Sequence, residues 1–494
     1  MSIRCLAWGL ALLCSGWGAA ASGATAPTPV LLPERLPSGV LRLSWQSAAP
    51  YHVLEWSEEL GAGAPWLPAN LRVVESEGTY TTEISGAGSA RFFRLRLPLP
   101  GVRTSSPQPG ESGVSVGRET ILELSAPLAA GISVTRTNFH ATAGGRRLLS
   151  RVEVSSDRRR LSLFPLEPMP GNARVTVELD TAGMVDGFGL PLDGDGDGAP
   201  GGRARVWFDT LNLTPVAGTA VIGRVFAAEA VSGPGGQVGN LPLQGVTITV
   251  DGREQDLRAV TDAEGFFRLE PVPAGRFFVH IDGRTAAGSE YPAGRYYPAV
   301  GKAWDAVAGV RTNLAGGTGE IFLPLIEGES LRPTSATLAT EVGFPAGVVA
   351  TNAALAAVRV TVPANSLFSD DGRRGGRVGM APVPPSRLPG PLPSGLELPM
   401  VFTVQTDGPL NFDVPAPVCL PNAPGVVPGA PLSPGAKRSL ISFNHKSGQW
   451  ESVGLMTVAA DGKTLCTDPG VGIRQPGWHG AGVPAYRSPS GSGL

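Results

Sequence analysis

Two stretches near the middle of the chain, LPLQGVTITVDG (241–252) and AVTDAEGFFRLEPVPAGRFFVHIDG (259–283), decide the predicted fold. In the first, Val246, Ile248 and Val250 alternate with threonines, which is the period-two pattern of a strand with one buried face. In the second, the tetrapeptide at 262–265 ends in glycine and separates two apolar runs, as tight turns between strands do. Both stretches therefore predict short strands around a small core.

Turn-forming residues recur over the whole chain. Glycine (67) and proline (47) recur throughout the 494 residues, which disfavours long helices and favours short strands joined by turns. Hydrophobic residues make up 42%, enough for packed cores, and this length corresponds to about three to five domains. The predicted fold class is all-β, with several small β-sandwich domains in tandem and a C-terminal β-rich module.

The clearest strand pattern lies at 104–210, where Val175, Val177 and Leu179 alternate with polar residues. The pieces SSPQPGESGVSV, ETILELSAPL, RLLSRVEVSSDRRRLSLFP and GGRARVWFDT follow one another here. In this order they resemble the bacterial Ig-like module of surface-layer and adhesin-type proteins. That resemblance implies a sandwich fold and a spacer or display role, and it implies no activity.

Residues 219–283, with GVTITV followed by TDAEGFFRLEPVPAGRF, resemble the carboxypeptidase regulatory-like domain, a small prealbumin-like β-sandwich that accompanies many activities and is not itself the peptidase. The related fold class includes glycan-binding modules, so a carbohydrate role follows by analogy alone. Residues 28–100 resemble a fibronectin-type-III-like module on LSW, YHVLEWSEELGAGAPW and RFFRLRL. Residues 284–480 look like an uncharacterised β-rich module of exported bacterial proteins, and 481–494 are expected to form a flexible tail.

The first 21 residues have the pattern of an export signal. Arg4 precedes an apolar run at 5–18, and Ala19-Ala20-Ala21 offers a small-residue cleavage site. A lipoprotein signal at Cys14 is the alternative, although Leu13 is large where such signals carry a small residue. We therefore expect a secreted or cell-surface protein, and the sequence holds no later apolar run long enough for a membrane span.

Cleavage of the signal leaves two cysteines, Cys419 and Cys466. An even pair in an exported chain favours a disulfide between them. Two buried thiols are the alternative.

A short acidic stretch, LDGDGDGAPGG (192–202), is the one metal motif that we identify. Asp193, Asp195 and Asp197 stand at positions 1, 3 and 5 of a D-x-D-x-D-G pattern, and carboxylates on a flexible loop are the ligands that Ca²⁺ prefers. Position 12, where an EF-hand carries a bidentate Glu, is Ala204, so the loop is not a complete EF-hand. No cofactor is required by the sequence: a solvated acidic loop is the favoured interpretation of this stretch, and a calcium site is the alternative.

Catalytic motifs are weak. Ser115 lies in GVSVG, which fits the hydrolase elbow G-x-S-x-G, but that motif requires a strand–turn–helix context that a β-sandwich lacks. The five histidines fall in different modules without metal-ligand spacing: His52, His140, His280, His445 and His479. We therefore predict no enzyme, although a hydrolase site within 284–494 and a glycosidase carboxylate pair stay open.

The sequence favours a structural function: an exported adhesion or scaffold protein, built from small cores that share no cavity. The alternative is carbohydrate binding through the prealbumin-like or C-terminal module, on a platform of aromatic faces. The tryptophans considered for such a platform are Trp66, Trp304, Trp450 and Trp478. With 40 Lys+Arg against 42 Asp+Glu, nucleic acid is not expected as a partner, and a cell-surface polysaccharide or protein is.

Overall fold

The fold was analysed on a computed structural model. It describes residues 29–483, except for short gaps at 47–51, 62–63, 70, 72, 77–78, 85–90, 233–237, 314–319, 370–371, 389, 391, 409 and 446–448. The predicted signal peptide (1–21) and most of the predicted tail lie outside the described residues. The described chain is all-β apart from one short α-helix and three 3₁₀ turns, as predicted. None of its helices has the length and apolar character needed to cross a bilayer.

The described residues group into two compact units. One unit comprises the residues up to Arg103 together with 124–133 and 179–204. The other comprises 104–123, 134–178 and the residues from Arg205 onward. We use four names below: the N-terminal segment (28–100), the second segment (104–210), the third segment (219–283) and the C-terminal segment (284–480).

The N-terminal segment forms two small sheets, in the orders β1-β2-β6-β5 and β4-β3-β7. Its core contains Leu43 and Trp45 from β2, Leu54 from β3 and Phe93 from β7. The strands are β1 (Leu32–Arg35), β2 (Leu41–Gln46), β3 (Val53–Ser57), β4 (Leu67–Pro68), β5 (Val74–Ser76), β6 (Thr79–Ile84) and β7 (Phe92–Arg96).

The second segment also forms two sheets, in the orders β13-β14-β10-β8 and β12-β11-β15-β16-β9. Val175, Val177 and Leu179 on β15 are at most 1% exposed, so the predicted inward face is confirmed. The strands are β8 (Val102–Ser106), β9 (Ser112–Val114), β10 (Thr120–Leu124), β11 (Phe139–Ala143), β12 (Arg146–Arg147), β13 (Ser150–Val154), β14 (Arg160–Pro165), β15 (Arg174–Asp180) and β16 (Arg203–Thr210).

The third segment contains the two stretches that decided the predicted fold, and both form the expected strands. Gly265 ends the predicted turn with a φ of 72°, and its amide donates to the Asp262 carbonyl. The strands are β17 (Pro215–Val216), β18 (Ala220–Ser232), β19 (Val238–Pro242), β20 (Thr247–Val250), β21 (Arg258–Val260), β22 (Phe266–Leu269), β23 (Val272–Pro273) and β24 (Gly275–Asp282).

The sheets of the third segment continue beyond residue 283 into the C-terminal segment. After a 3₁₀ turn at Gly283–Thr285, β26 pairs along the whole of β24, and β27 and β28 run parallel to β18. The sheet around β18 is thus completed by residues as far as Leu323. The added strands are β25 (Arg295–Tyr296), β26 (Ala299–Ala306), β27 (Arg311–Asn313), β28 (Glu320–Leu323) and β29 (Ile326–Glu327).

The rest of the C-terminal segment is built on a ten-stranded sheet, in the order β30-β34-β35-β41-β38-β39-β40-β37-β32-β31. The elements are a 3₁₀ turn (Gly328–Ser330), β30 (Arg332–Pro333), β31 (Thr340–Val342), α1 (Ala346–Thr351), a 3₁₀ turn (Ala353–Ala357), β32 (Arg359–Val362), β33 (Leu367–Ser369), β34 (Arg377–Val383), β35 (Val401–Thr406), β36 (Leu410–Phe412), β37 (Val418–Pro421), β38 (Lys437–Asn444), β39 (Gln449–Val458), β40 (Thr464–Thr467) and β41 (Gly477–Gly482).

This sheet is strongly curled, because its two outermost strands are close neighbours in sequence. Six residues, 334–339, separate β30 from β31, and they can span at most about 25 Å. A flat sheet of ten strands would hold its outer strands about 43 Å apart. The sheet therefore bends around its own core, which includes Phe402, Leu440 and Leu465.

The third and C-terminal segments share one hydrophobic core. Ile248 and Phe277 of the third segment belong to the same buried cluster as Ile441, Phe443 and Trp478 of the C-terminal segment. The expectation of separate small cores is therefore wrong for these two segments. The strand patterns predicted each buried face correctly, but they carry no information about which faces meet.

Candidate functional site

Cys419 and Cys466 form a disulfide in the structure. They stand directly opposite each other on β37 and β40, with Cα atoms 4.1 Å apart. The bond therefore joins two neighbouring strands of the curled sheet, in agreement with the prediction from the cysteine count.

The predicted calcium loop places its three carboxylates together. One oxygen each from Asp193, Asp195 and Asp197 lies within 4.8 Å of the others. Asp193 is only 9% exposed, and its two carboxylate oxygens accept hydrogen bonds from the amides of Gly196 (2.7 Å) and Gly198 (2.8 Å). Asp193 thus already shapes the loop, while Asp195 and Asp197 are exposed.

This donor set fits a calcium ion in part. Carboxylate oxygens suit Ca²⁺, which takes six to eight oxygen ligands, and three aspartates leave the remainder to backbone carbonyls and water. Asp186 does not join them, because its Oδ1 accepts from the amides of Phe188 and Leu190 in a turn of its own. Calcium binding by this loop stays a prediction.

A cavity of about 400 Å³ lies among the second, third and C-terminal segments. Ser115 and Gly117 line it from the second segment, Asp251 and His280 from the third, and Trp478 from the C-terminal segment. Small cores that share no cavity were expected from the sequence, and that expectation is wrong. The cavity exists because residues far apart in sequence pack together within one compact unit.

In the wall of this cavity, the carboxylate of Asp251 contacts Ser115, Gly117 and His280. The hydroxyl of Ser115 donates to Oδ2 of Asp251 at 2.5 Å, and the amide of Gly117 reaches the same oxygen at 3.3 Å. The other oxygen, Oδ1, lies 3.1 Å from Nε2 of His280. Asp251 is 6% exposed, so these partners compensate most of what its carboxylate loses by burial.

The order of these groups does not match a nucleophilic triad. In a triad the histidine lies between the serine and the acid, so that it can take the hydroxyl proton. Here the carboxylate of Asp251 stands between Ser115 and His280. The G-x-S-x-G pattern around Ser115 therefore serves a contact between two segments.

The pKa values of the pair follow from this geometry. Burial alone raises the pKa of Asp251, but the hydrogen bonds from His280 and Ser115 outweigh it and hold that pKa below its usual value. Burial alone lowers the pKa of His280, whereas the bond and charge of Asp251 outweigh that effect and raise it. Each group thus stabilises the charged form of the other.

Register explains why Asp251 and His280 meet. β20 and β24 are antiparallel, with Thr249 opposite His280. Asp251 follows two residues after Thr249, so period two places it on the same face. Sequence reasoning missed this pair, because the strands were predicted but their pairing and register were not. Ser115 is 136 residues away from Asp251, and no local pattern indicates the contact.

Three further nitrogen atoms lie buried beside this region without a hydrogen-bond partner among the described residues: Nδ1 of His445, Nε1 of Trp478 and Nε2 of His479. Burial and the charge of Lys302 lower the pKa of His445 to about 4. Burial and His445 lower the pKa of His479 to about 3. Both imidazoles are therefore neutral at physiological pH. His479 lines a second cavity, of about 330 Å³.

The tryptophans proposed for a sugar platform are mostly in the core. Trp304 is 6% exposed, and Trp450 and Trp478 are 1% exposed each, so these three are core tryptophans, the usual position of such a residue, and they form no exposed platform. Trp66 is half-buried, under the guanidinium of Arg94. By contrast, Trp207 on β16 is 41% exposed. The alternation in RARVWFDT, with Val206 and Phe208 inward, was the signal that would have identified it.

Comparison with known proteins gives no family for the chain. No family and no curated protein matches the sequence. Among solved structures, the methionine-rich copper resistance protein PcoC from Escherichia coli is 18% identical, with a TM-score of 0.17, over 23% of this chain and 98% of that one.

Two larger structures are also similar. The N-terminal part of the bacterial S-layer protein SbsC is 14% identical, with a TM-score of 0.19, over 42% of this chain and 44% of that one. Native alpha-2-macroglobulin from Escherichia coli, spanning domains MG0-NIE-MG1, is 10% identical, with a TM-score of 0.19, over 76% of this chain and 96% of that one. The chain spans less than half of the SbsC fragment. At these identities and scores the likenesses carry no argument about function.

Proposed function

We propose that the chain is an extracytoplasmic scaffold protein, in which the compact unit made of 104–123, 134–178 and the residues from Arg205 onward acts as one stiff structural piece of a bacterial surface or secretome. The observation that carries this proposal is the hydrophobic core shared by the third and C-terminal segments. A spacer or display element needs segments that keep their relative positions, and a shared core supplies this more firmly than a linker does.

Buried polar contacts add the second segment to this piece. Nη1 of Arg160 donates to the carbonyl of Phe412 at 3.0 Å. The Asp413 carboxylate accepts from Nη1 of Arg374 at 2.6 Å and from the amide of Ser156 at 3.3 Å. Arg160 and Asp413 are at most 5% exposed, so these contacts are protected from water and cost several kcal/mol when one partner is removed.

A buried arginine also joins a Pro-rich loop of the C-terminal segment, 386–399, to the third segment. Arg387 is 7% exposed. Its guanidinium donates to the carbonyl of Ala227 at 2.9 Å and to Oδ1 of Asn240 at 2.8 Å, and it lies over the ring of Phe322. Its planar group of donors joins the loop to two neighbouring strands, β18 through Ala227 and β19 through Asn240.

Hydrogen exchange of the mature chain tests the stiffness. If the segments form one cooperative piece, Ile248→Ala in the third segment should speed amide exchange in β38 as well as in β20, since both strands contribute to one core. Leu338→Ala, at a side chain that is 71% exposed, is the matched control and should change neither. Loss of protection confined to the third segment would contradict the proposal.

Cell fractionation tests the location. The full chain, tagged at its C-terminus and expressed in a bacterium, should appear outside the cytoplasm with residues 1–21 removed. A variant without these residues should stay in the cytoplasm. Recovery of the unprocessed full chain in the cytoplasm would contradict the extracytoplasmic role.

Carbohydrate binding is a second candidate, now centred on Trp207. The guanidinium of Arg174 lies over one face of this exposed ring, 4.2 Å from the ring centroid, and pairs with Asp209. An exposed aromatic ring with neighbouring hydrogen-bonding groups is suited to a sugar ring. A glycan array should then give hits that Trp207→Ala abolishes and Leu338→Ala keeps. An array without hits for the mature chain would exclude this candidate.

A further inference from the structure

We infer that Asp251, Glu254 and His280 form a binding site for a divalent transition-metal ion such as Zn²⁺, and that Asp251 and His280 present this site to the 400 Å³ cavity that they line. This inference goes beyond the scaffold function and does not depend on it. It starts from the ligand atoms. One carboxylate oxygen from each acid and one imidazole nitrogen lie within 4.8 Å of one another.

The spacing of the two best-placed atoms suits one ion. Nε2 of His280 and Oδ1 of Asp251 are 3.1 Å apart. Two ligands at about 2.0–2.1 Å from a tetrahedral zinc ion are separated by about 3.3 Å. An ion can therefore replace the proton between these atoms with little movement, and the exposed Glu254 side chain can complete a three-residue set.

The second carboxylate oxygen of Asp251, Oδ2, is held in place by hydrogen bonds from the second segment. Oδ2 accepts from the Ser115 hydroxyl and the Gly117 amide, which leaves Oδ1 directed at His280. Metal-binding carboxylates commonly have such outer partners, because these fix the orientation of the ligand. Ser115 is thus a positioning residue in this site.

The chemistry of the set selects the ion class. Two carboxylates and a neutral imidazole carry a formal charge of about −2, which matches a dication. An imidazole nitrogen favours zinc, copper, nickel or iron over magnesium and calcium. This separates the site from the aspartate loop at 193–197, which offers oxygen ligands only.

The cavity supplies the second, independent observation. Trp478 lines the same cavity and is 1% exposed, and its Nε1 has no hydrogen-bond partner among the described residues. A buried indole N–H without an acceptor is costly. This donor therefore points to an acceptor held inside the same cavity that Asp251 and His280 line.

Zinc titration of the mature chain, purified without a polyhistidine tag, tests the inference. Calorimetry should show one equivalent of Zn²⁺ bound, and His280→Ala or Asp251→Asn should weaken that binding at least tenfold. His140→Ala is the matched control, since this imidazole lies beside a single carboxylate, Glu178, and should leave affinity unchanged. Ser115→Ala should keep the stoichiometry and weaken the affinity several-fold.

Folding of each variant is checked by its thermal midpoint without metal. Co²⁺ gives a second readout, because its visible absorption is intense only in a low-coordinate, tetrahedral ligand set; the band should be lost in His280→Ala and kept in His140→Ala. Equal zinc affinity in the wild type and in folded His280→Ala would overturn the inference. So would a wild-type chain that binds no zinc at all.

Discussion

At the scale of single residues, the buried histidines are the groups most sensitive to acid. His479 is 2% exposed, and its Nδ1 lies 2.8 Å from the hydroxyl of Ser442. Its pKa is lowered from 6.5 to about 3. The unfolded chain therefore takes up a proton at this residue over a pH range in which the folded chain does not, and folding stability falls as pH falls.

We predict a loss of about 2–3 kcal/mol from this residue between pH 7 and pH 4.5. His479→Asn, which keeps a polar atom near Ser442, should flatten the pH dependence of the free energy of unfolding between pH 6.5 and about 3. Urea unfolding at several pH values measures it. Ser442→Ala keeps the imidazole and should keep the slope, and an unchanged slope in His479→Asn would contradict the assignment.

Arg160 is the second residue with a predicted effect of its own. Burial, followed by the charge of Arg474, lowers its pKa to about 10, so it stays charged at neutral pH. Arg160→Met keeps the apolar stem but leaves the Phe412 carbonyl without its donor. We expect a loss of about 2–3 kcal/mol. Arg136→Met, at an exposed side chain, should cost less than 0.5 kcal/mol by the same urea measurement.

At the scale of elements, the disulfide joins β37 to β40 within the curled sheet. It closes a loop with a sequence separation of 47, for which the chain-entropy account gives at most about 4 kcal/mol. The double variant Cys419→Ala/Cys466→Ala should therefore lower the free energy of unfolding by about 2–4 kcal/mol. Dithiothreitol should lower the midpoint of the wild type and leave the double variant unchanged; an equal shift in both would exclude the bond as the cause.

Two roles of the aspartate loop at 193–197 can be tested separately: shaping of the loop by Asp193, and binding of calcium. Asp193→Asn should destabilise the chain with or without calcium by about 1–2 kcal/mol, because the Asp193 carboxylate accepts from the Gly196 and Gly198 amides. Asp195→Asn/Asp197→Asn should change only the response to calcium. If the loop binds the ion, calcium raises the thermal midpoint of the wild type and a chelator reverses it. Identical midpoints with calcium and chelator would end the calcium prediction.

At the scale of the whole molecule, the features that could be predicted from the sequence are those that depend only on residues close together in the chain. The alternation of apolar and polar residues identified the inward faces at 175–179 and 246–250. The turn at 262–265 lies at the position that its glycine predicted. These features are local because their hydrogen bonds and side-chain directions are fixed within a few residues.

Features that depend on distant partners were not predictable in the same way. The shared core, the cavity and the contact of Ser115 with Asp251 each join residues that are far apart in sequence. A single sequence shows which faces are apolar but not which of them meet. The burial of Trp304, Trp450 and Trp478 followed from such a meeting, whereas the exposure of Trp207 was readable from strand alternation alone.

The curling of the ten-stranded sheet affects how copies of the chain associate at high protein concentration. Its outermost strands, β30 and β31, have only two and three residues, and β30 contains Pro333, which lacks an amide hydrogen to donate. Unpaired backbone along a long, flat border is what allows one protein to recruit another into fibrils. Here the border is brief, and on β30 it contains a proline, so this sheet offers another copy of the chain little backbone with which to pair.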